Sequence, residues 1–303
     1  MRVLVGVDGS AGSLAAAAFI GKLLAAGKDE LLFYYSPPAV WVRAVPDASG
    51  TAEALQSFLV QAVFEKARQQ LPATLQASVQ TIVGTRDARQ GLLIAADDRR
   101  ADLIVVGARG TGPMRQPAMG SLARYVAHHA TVPVLIVRGA PPAGGLRVLL
   151  ASDGSDLSRH AGEILARFAW PPGSIGETIT VLEATPEGRI PEWLVEQLTD
   201  QQLAALGLGC FPRDTAAEAQ LREQVASWYG TLPAMFQGRE PLVVAGHAPD
   251  QILRAVERQR SDLVVLGARR QGAIRRLLLG STSEHVLTHA PCSVLVVRGH
   301  EVP

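Results

Sequence analysis

A short apolar run in the first half of the chain is followed by glycines at the spacing of a phosphate-binding loop. The run over 103–106 is β-branched and short, which is typical of a buried strand. Gly107, Gly110 and Gly120 follow it, and Ser121 comes directly after the last of them. Glycine lets backbone N–H groups approach a ligand closely, and the start of the helix predicted after Ser121 adds unpaired donors and a positive dipole. This stretch therefore predicts phosphate binding.

Two common phosphate-binding motifs do not match these glycines. A P-loop requires lysine and then serine or threonine after its second glycine, but Pro113 and Met114 follow Gly112. The dinucleotide motif GxGxxG belongs to the first strand–helix turn of its fold, whereas these glycines follow the fourth predicted strand. The pattern that remains, Gly-x2-Gly-x9-Gly-Ser from Gly107, resembles the nucleotide-binding signature of the universal stress protein family, in its ATP-binding branch. The alternative is a glycine-rich loop that only turns the chain.

The resemblance implies roles at both ends of a bound adenine nucleotide. The loop N–H groups and the Ser121 hydroxyl bind the phosphates, and Arg109 adds positive charge. Asp8, which follows the first predicted strand, accepts a hydrogen bond from the adenine amino group. The alternatives are helix caps for Asp8 and Ser121, and core packing for Tyr35. The residues expected to bind the nucleotide are Asp8, Gly9, Ser10, Tyr35, Gly107, Arg109, Gly110, Gly120, Ser121 and Leu122.

The chain contains the same unit twice. The offset is 145 residues at the aspartates (153 − 8) and 160 at the glycine–serine pairs (280 − 120), so the second unit carries 15 more residues (160 − 145). We expect a nucleotide-binding domain over 1–140 and a second domain over 145–303, with an insertion near 186–212 that serves as padding, a lid or a partner-binding helix. We call these domains the first and second repeats. The matching segments are 3–10 with 148–155, 102–109 with 262–269, and 132–139 with 291–299.

Strand and helix patterns alternate in each repeat, for example a strand over 2–7 and then a helix over 13–26. This alternation predicts an α/β fold with two doubly wound, five-stranded parallel-sheet domains of strand order 3-2-1-4-5. In that order Asp8 and Gly107 end neighbouring strands, so the two motifs converge. The fifth strands, over 134–137 and 294–297, are apolar edges, and edges of this kind are normally paired or covered. We expect them to meet in an intramolecular pseudo-dimer, with further homodimerisation left open.

The second repeat departs from the pattern where Arg270 replaces Gly110. Arginine is unfavourable there if the position needs positive φ or close phosphate approach, although its guanidinium could instead contact a phosphate. Glu183, aligned with Tyr34 at the end of strand 2, adds negative charge. We therefore expect one ATP per chain, in the first repeat. The residues of a weaker second site are Asp153, Gly267, Arg270, Gly280 and Ser281.

Composition excludes several classes of protein. The 303 residues carry a net charge of +1, which does not favour a nucleic-acid groove or an anionic membrane surface. No apolar run is long enough to span a bilayer, and the N-terminus enters a strand without a signal-peptide pattern. Cys210 and Cys292 are far apart in the sequence and have no metal-ligand spacing. These features favour reduced thiols and a cytoplasmic location.

No catalytic residues are legible in the sequence. His285 and His289 stand four residues apart, but no third metal ligand accompanies them, and no nucleophile–base pair or carboxylate dyad is evident. We therefore expect no resident metal, with Mg²⁺ entering only with the nucleotide. The expected function is a stress-response protein that acts by binding ATP rather than by turnover. The alternatives are a slow ATPase or nucleotide transferase, and a nucleotide-free scaffold that binds a partner through the insertion.

Overall fold

The computed structural model describes residues 1–37, 51–110, 119–182, 223, 225, 228–268 and 279–298. The predictions made for the insertion and for Glu183 and Arg270 lie outside these residues. The first repeat consists of β1 (Arg2–Gly6), α1 (Ala11–Gly21), β2 (Glu30–Tyr35), α2 (Thr51–Arg68), α3 (Ala73–Gln76), β3 (Gln80–Val83), α4 (Ala88–Asp98), β4 (Leu103–Gly107), α5 (Ser121–His129) and β5 (Val134–Val137). The second repeat contains β6 (Arg147–Ser152), α6 (Asp156–Ala166), β7 (Ile175–Leu182), a 3₁₀ turn (Ala234–Phe236), β8 (Leu242–Ala245), α7 (Ala248–Gln259), β9 (Leu263–Ala268), α8 (Ser281–His289) and β10 (Ser293–Arg298).

The strands form one ten-stranded sheet in the order β3-β2-β1-β4-β5-β10-β9-β6-β7-β8. Each half has the predicted order 3-2-1-4-5 with parallel pairing, so the predicted fold class is confirmed. The two halves meet through antiparallel pairing of β5 with β10, in which Leu135 lies opposite Leu295. The expected meeting of the two apolar edges is therefore present.

The sheet is buried on both faces by helices. Alternate residues of β1 point to opposite sides: Val3 and Val5 belong to a hydrophobic cluster on one face of the sheet, which also includes residues of α1, α2 and α6, and Leu4 belongs to the cluster on the other face, with residues of α4, α5, α7 and α8. Leu135 and Leu295 are fully buried where the halves join. Burying a leucine side chain contributes about 1.5–3 kcal/mol, so both apolar edges gain stability by pairing.

Helix α1 is shorter than the sequence predicts, ending at Gly21 instead of near residue 26. The following segment is folded back by Asp29, whose carboxylate accepts from the Ala25 N–H at 2.7 Å and from the Met1 amino group at 2.6 Å. A charged acceptor that binds two donors competes with the continuation of a helix. Strand β7 begins at Ile175, earlier than the predicted residue 178.

The strand register corrects one predicted correspondence between the repeats. In the first repeat Gly6 pairs with Tyr34, and in the second repeat Ala151 pairs with Ile179. Because Gly6 and Ala151 occupy matching positions, Ile179 is the counterpart of Tyr34. The alignment of Glu183 with Tyr34 is therefore wrong, since Glu183 lies four positions further along the chain.

Two arginines cross the joint between the halves in a reciprocal arrangement. Arg138, directly after β5, donates to the Leu287 carbonyl near the end of α8, and Arg298 of β10 donates to the Ala127 carbonyl near the end of α5. The last carbonyls of a helix lack intrahelical partners, and positive charge is favourable at that end of the helix dipole. Burial lowers the pKa of Arg138. Each half therefore caps a helix of the other.

Replacing Arg298 by alanine is expected to lower the free energy of unfolding by about 1–3 kcal/mol, because the buried Ala127 carbonyl loses a charged donor. Urea unfolding followed by circular dichroism measures the change. Arg124→Ala is the control, since Arg124 is exposed and lies on α5, the helix that contains Ala127. Equal unfolding midpoints for the two variants would show that Arg298 does not stabilise the interface between the two repeats.

Candidate functional site

The candidate site lies at the carboxyl ends of β1 and β4, where the strand order reverses. Ligands of doubly wound folds bind in this position. Asp8 follows β1, and Gly110 follows β4. A Cβ built on Gly110 would lie only 2.8 Å from Asp8 Oδ2, so the two motifs that are distant in sequence meet here. A side chain at position 110 would therefore require the Asp8 carboxylate to move.

The turn after β1 places the Asp8 carboxylate without using it as the helix cap. Gly9 has φ +76°, a left-handed conformation that favours glycine. Asp8 Oδ1 accepts from the Ser10 N–H at 3.0 Å. Ser10 is the N-cap of α1, and its hydroxyl accepts from the Ser13 N–H at 3.2 Å. Of the alternatives for Asp8, the N-cap role thus belongs to Ser10.

The loop after β4 packs directly on the backbone of α1. A Cβ on Gly107 would lie 2.4 Å from the Gly12 carbonyl carbon, and a Cβ on Gly12 would lie 2.0 Å from the Arg109 carbonyl oxygen. Both glycines are needed for this contact, which holds the start of the loop against α1. Sequence analysis missed Gly12; its signal was a glycine in the first turn of a predicted helix, where glycine is otherwise unfavourable.

The start of α5 supplies donors beside the loop. Gly120 is the N-cap residue, and its N–H donates to the Ala108 carbonyl at 2.8 Å, so this donor is already used to close the loop. Ser121 is the first helical residue rather than the cap, and no hydrogen bond of its hydroxyl occurs within the described residues. The N–H groups of Ser121, Leu122 and Ala123 have no partner inside the helix because of their position in its first turn. The start of α5 thus presents three N–H groups and a hydroxyl.

Gly110 is not required for its backbone conformation. Its φ is not positive, whereas Gly9 and Gly154 after the first strand of each repeat have φ of +76° and +75°. A side chain at position 110 would instead meet Asp8 Oδ2, as described above. Positive φ is therefore not the reason why a side chain is unfavourable there.

The two tyrosines at the end of β2 point to opposite faces of the sheet. Tyr35 packs edge-to-face on Phe64 with 6.3 Å between ring centroids. Burial, and after it the negative charge of Asp8, raise the pKa of the Tyr35 phenol. Tyr35 is thus a core residue whose hydroxyl lies within the influence of Asp8. Tyr34 is also buried, and its hydroxyl would lie 2.0 Å from a Cβ on either Gly84 or Gly91.

The corresponding crevice of the second repeat is a partly open cavity of about 370 Å³. Four of the five residues predicted for a second site line it: Asp153, Gly267, Gly280 and Ser281. Asp153 Oδ1 accepts from the Ser155 N–H at 3.0 Å, which reproduces the turn of the first repeat. The fifth residue, Arg270, lies outside the described residues.

The histidines and the cysteine do not form a metal or nucleophile site in the described part of the chain. The rings of His285 and His289 stack at 4.2 Å, and His247 lies 6.5 Å from His285, but no group of three or more histidine, cysteine, aspartate or glutamate side chains there is arranged to hold a metal ion. Burial raises the pKa of Cys292 to about 12, so its thiol is protonated at neutral pH. Cys210 lies outside the described residues, and within them no helix is long and apolar enough to cross a membrane.

A model of the Universal stress protein family matches the chain twice, over residues 1–138 and 146–298. A universal stress protein of Mycolicibacterium smegmatis is 28% identical over 228 residues, which cover 73% of this chain and 69% of the relative. A universal stress protein of Thermus aquaticus is 29% identical over 151 residues, which cover 50% of this chain and 97% of the relative. The two matched segments of the family model follow the internal repeat seen in the sequence.

Solved structures share the whole fold. The crystal structure of a universal stress protein from Archaeoglobus fulgidus has a TM-score of 0.61 at 20% identity and covers 98% of both chains. A structure from Pseudomonas aeruginosa has a TM-score of 0.63 at 19% identity and covers 99% of this chain and 94% of the other. At this identity the likeness concerns the fold alone. Because the family model matches both repeats, this protein belongs to the universal stress protein family, with two tandem α/β repeats.

Proposed function

We propose that the first repeat binds ATP, or a related adenine nucleotide, in the crevice between β1 and β4. The observation that carries this proposal is the approach of Asp8 to Gly110, because a Cβ on Gly110 would stand 2.8 Å from Asp8 Oδ2. This approach brings a carboxylate acceptor beside a loop that leads to the start of α5. A crevice with an acceptor at one end and N–H donors at the other matches the polarity of an adenine nucleotide.

The adenine end of the crevice is formed by Asp8. The adenine amino group carries two donors, and a carboxylate accepts a hydrogen bond from it; charge-assisted bonds of this kind are stronger than neutral ones. The Asp8 carboxylate is fixed by the Ser10 N–H, and this limits the rotamer entropy lost on binding. The pKa of the Tyr35 phenol is raised by burial and, after it, by the negative charge of Asp8, and the ring itself packs in the core against Phe64.

The phosphate end is formed by the start of α5. Ser121 is exposed and contributes both its N–H and its hydroxyl, and the N–H of Leu122 follows. The helix dipole adds about half a positive charge at this end. Arg109 is also exposed at the beginning of the loop, where a guanidinium balances phosphate charge. Solvent exposure of these groups is what a charged ligand that enters from water requires.

The protein acts, in this proposal, by binding and signalling in a cytoplasmic stress response rather than by turnover. Hydrolysis of ATP needs a group that positions water and charges that stabilise the transferring phosphoryl group. The described carboxylate nearest the loop, Asp8, is assigned to the adenine end and not to the phosphates. A slow ATPase remains the rival that the measurements below separate from pure binding.

Gly110→Arg is expected to weaken ATP binding more than about 100-fold, since two lost hydrogen bonds to a charged ligand cost about 3 kcal/mol in total. The arginine side chain would begin against Asp8 Oδ2 and displace either the carboxylate or the loop. Isothermal titration calorimetry measures the affinity of each variant for ATP. For the wild-type protein we expect a stoichiometry near one ATP per chain. Gly144→Arg is the matched control, because a Cβ there meets no atom within 4 Å. A stoichiometry near two, or unchanged affinity in Gly110→Arg, would contradict the assignment.

Magnesium is expected to bind only together with the nucleotide, because the described residues contain no cluster of ligands for a metal ion. Titration of Mg²⁺ into nucleotide-free protein should give no heat at micromolar concentrations, whereas the ATP-loaded protein should bind it. Phosphate release from Mg²⁺–ATP should remain at the rate of the protein-free control. Mg²⁺ binding without nucleotide, or phosphate release that Gly110→Arg abolishes, would favour the ATPase.

A further inference from the structure

Helix α5 connects the proposed nucleotide site with the joint between the repeats. Its start carries Ser121 and the N–H groups assigned above to the phosphates, and its end contacts the second repeat. The helix has nine residues, and at a rise of about 1.5 Å each it is about 13 Å long. One short helix therefore joins the end proposed to bind phosphate to the contact with the other repeat.

The second repeat contacts the end of α5 at two points. Arg298 of β10, which is 3% exposed, donates to the Ala127 carbonyl. At the next residue, His128 Nε2 lies 3.0 Å from Glu284 Oε2 of α8. Both of these side chains are partly exposed, and exposed ion pairs contribute little to stability. A buried charged donor is more costly to lose, because the carbonyl is then left unpaired. Arg298 is therefore the stronger of the two contacts.

Side-chain packing fixes α5 less than it fixes α8, the equivalent helix of the second repeat. The buried residues of α5 are Ala123, Val126 and Ala127, two of which are alanines. Helix α8 buries Leu287 at the position of Ala127, with the repeat offset of 160 residues (287 − 127). A leucine side chain makes many more van der Waals contacts than a methyl group does. The position of α5 therefore depends more on its hydrogen bond with Arg298.

The start of α5 moves when its end is released. A rigid helix of about 13 Å that tilts by about 10° about its end moves its start by about 2 Å. Hydrogen bonds from N–H groups tolerate only about 0.5 Å of variation in length. A tilt of this size therefore removes hydrogen bonds between the start of α5 and a bound phosphate.

We propose that Arg298 is a positioning residue of the nucleotide site in the first repeat, although it belongs to the second repeat. By binding the Ala127 carbonyl, it keeps the N–H groups of Ser121 and Leu122 in place for the phosphates. This inference rests on the proposed function and adds to it that the site of one repeat requires a side chain of the other. The first repeat alone therefore lacks a complete nucleotide site.

The test compares the ATP affinities of Arg298→Ala and Arg138→Ala by isothermal titration calorimetry. Arg138→Ala is the matched control, because Arg138 makes the same kind of hydrogen bond to the Leu287 carbonyl of α8. Arg298→Ala is expected to weaken ATP binding about fivefold or more, and Arg138→Ala less than about twofold. Arg298→Lys keeps a charged donor without the planar guanidinium, so its affinity should lie between those of the wild type and Arg298→Ala.

This control also separates positioning from charge. Burial and, to a smaller extent, the positive charge of Arg109 lower the pKa of Arg138, so Arg138 lies within electrostatic range of the glycine loop. Arg138→Ala thus removes a positive charge near the proposed phosphate end. If ATP affinity depended only on charge, both alanine variants would lose affinity. Equal losses in the two variants, or unchanged affinity in Arg298→Ala, would overturn the proposal.

Amide hydrogen exchange in the nucleotide-free protein gives a second readout that does not require ATP. Exchange over residues 124–129 of α5 is expected to be at least about tenfold faster in Arg298→Ala than in Arg138→Ala. Equal exchange rates would overturn the proposal. If Arg298→Ala does not fold, Arg298→Lys and Arg138→Lys replace the alanine variants in both comparisons, with the same order expected. A wild-type protein that does not bind ATP would contradict the proposed function, whereas faster exchange in the Arg298 variant would still support the positioning of α5 by Arg298.

Discussion

The contact on which the candidate site depends is the approach of two backbones without side chains between them. Gly12 in the first turn of α1 and Gly107 at the end of β4 allow the loop after β4 to lie on α1, with the Arg109 carbonyl at the position of a missing Cβ. Asp8, just before the same helix, is thereby brought against Gly110. Larger residues at these positions would move the loop away from α1 and separate the acceptor from the donors of α5.

The second repeat keeps this plan but replaces the closest contact by a side chain. Leu157 stands where the first repeat has Gly12, and a Cβ on Gly267 would lie 3.0 Å from the Leu157 Cβ. The same Cβ would lie 3.2 Å from the Leu157 carbonyl carbon, whereas in the first repeat a Cβ on Gly107 would lie 2.4 Å from the Gly12 carbonyl carbon. The loop of the second repeat thus begins against a leucine rather than a bare backbone. The two repeats share the strand order but differ in their crevices. The sheet needs only apolar strands, whereas the shape of each crevice depends on the few side chains that line it.

The joint between the repeats combines apolar and polar interactions of different kinds. Pairing of β5 with β10 satisfies the edge N–H and carbonyl groups of both strands and removes two apolar edges from water. The crossing arginines then satisfy helix-end carbonyls in the opposite half. Arg138 and Arg298 are related by the internal repeat, with an offset of 160 residues that also relates Ala127 to Leu287. The repeat in the sequence is therefore visible as an approximate two-fold relation in the contacts.

Local sequence patterns determined the strands, their order, the internal repeat and the edges that pair, because burial on both faces demands apolar β-branched runs whatever the partner is. They also predicted that Asp8 and Gly107 converge, since strands 1 and 4 are neighbours in this strand order. Tertiary structure decided where α1 stops, because Asp29 accepts both from the nearby Ala25 N–H and from the amino group of Met1, which the fold brings to it. It alone decided that Ser10 caps α1, that Ile179 and not Glu183 matches Tyr34, and that the second crevice is open. These outcomes depend on strand register and on the packing of side chains from separate elements. Neither can be deduced from a local stretch of sequence.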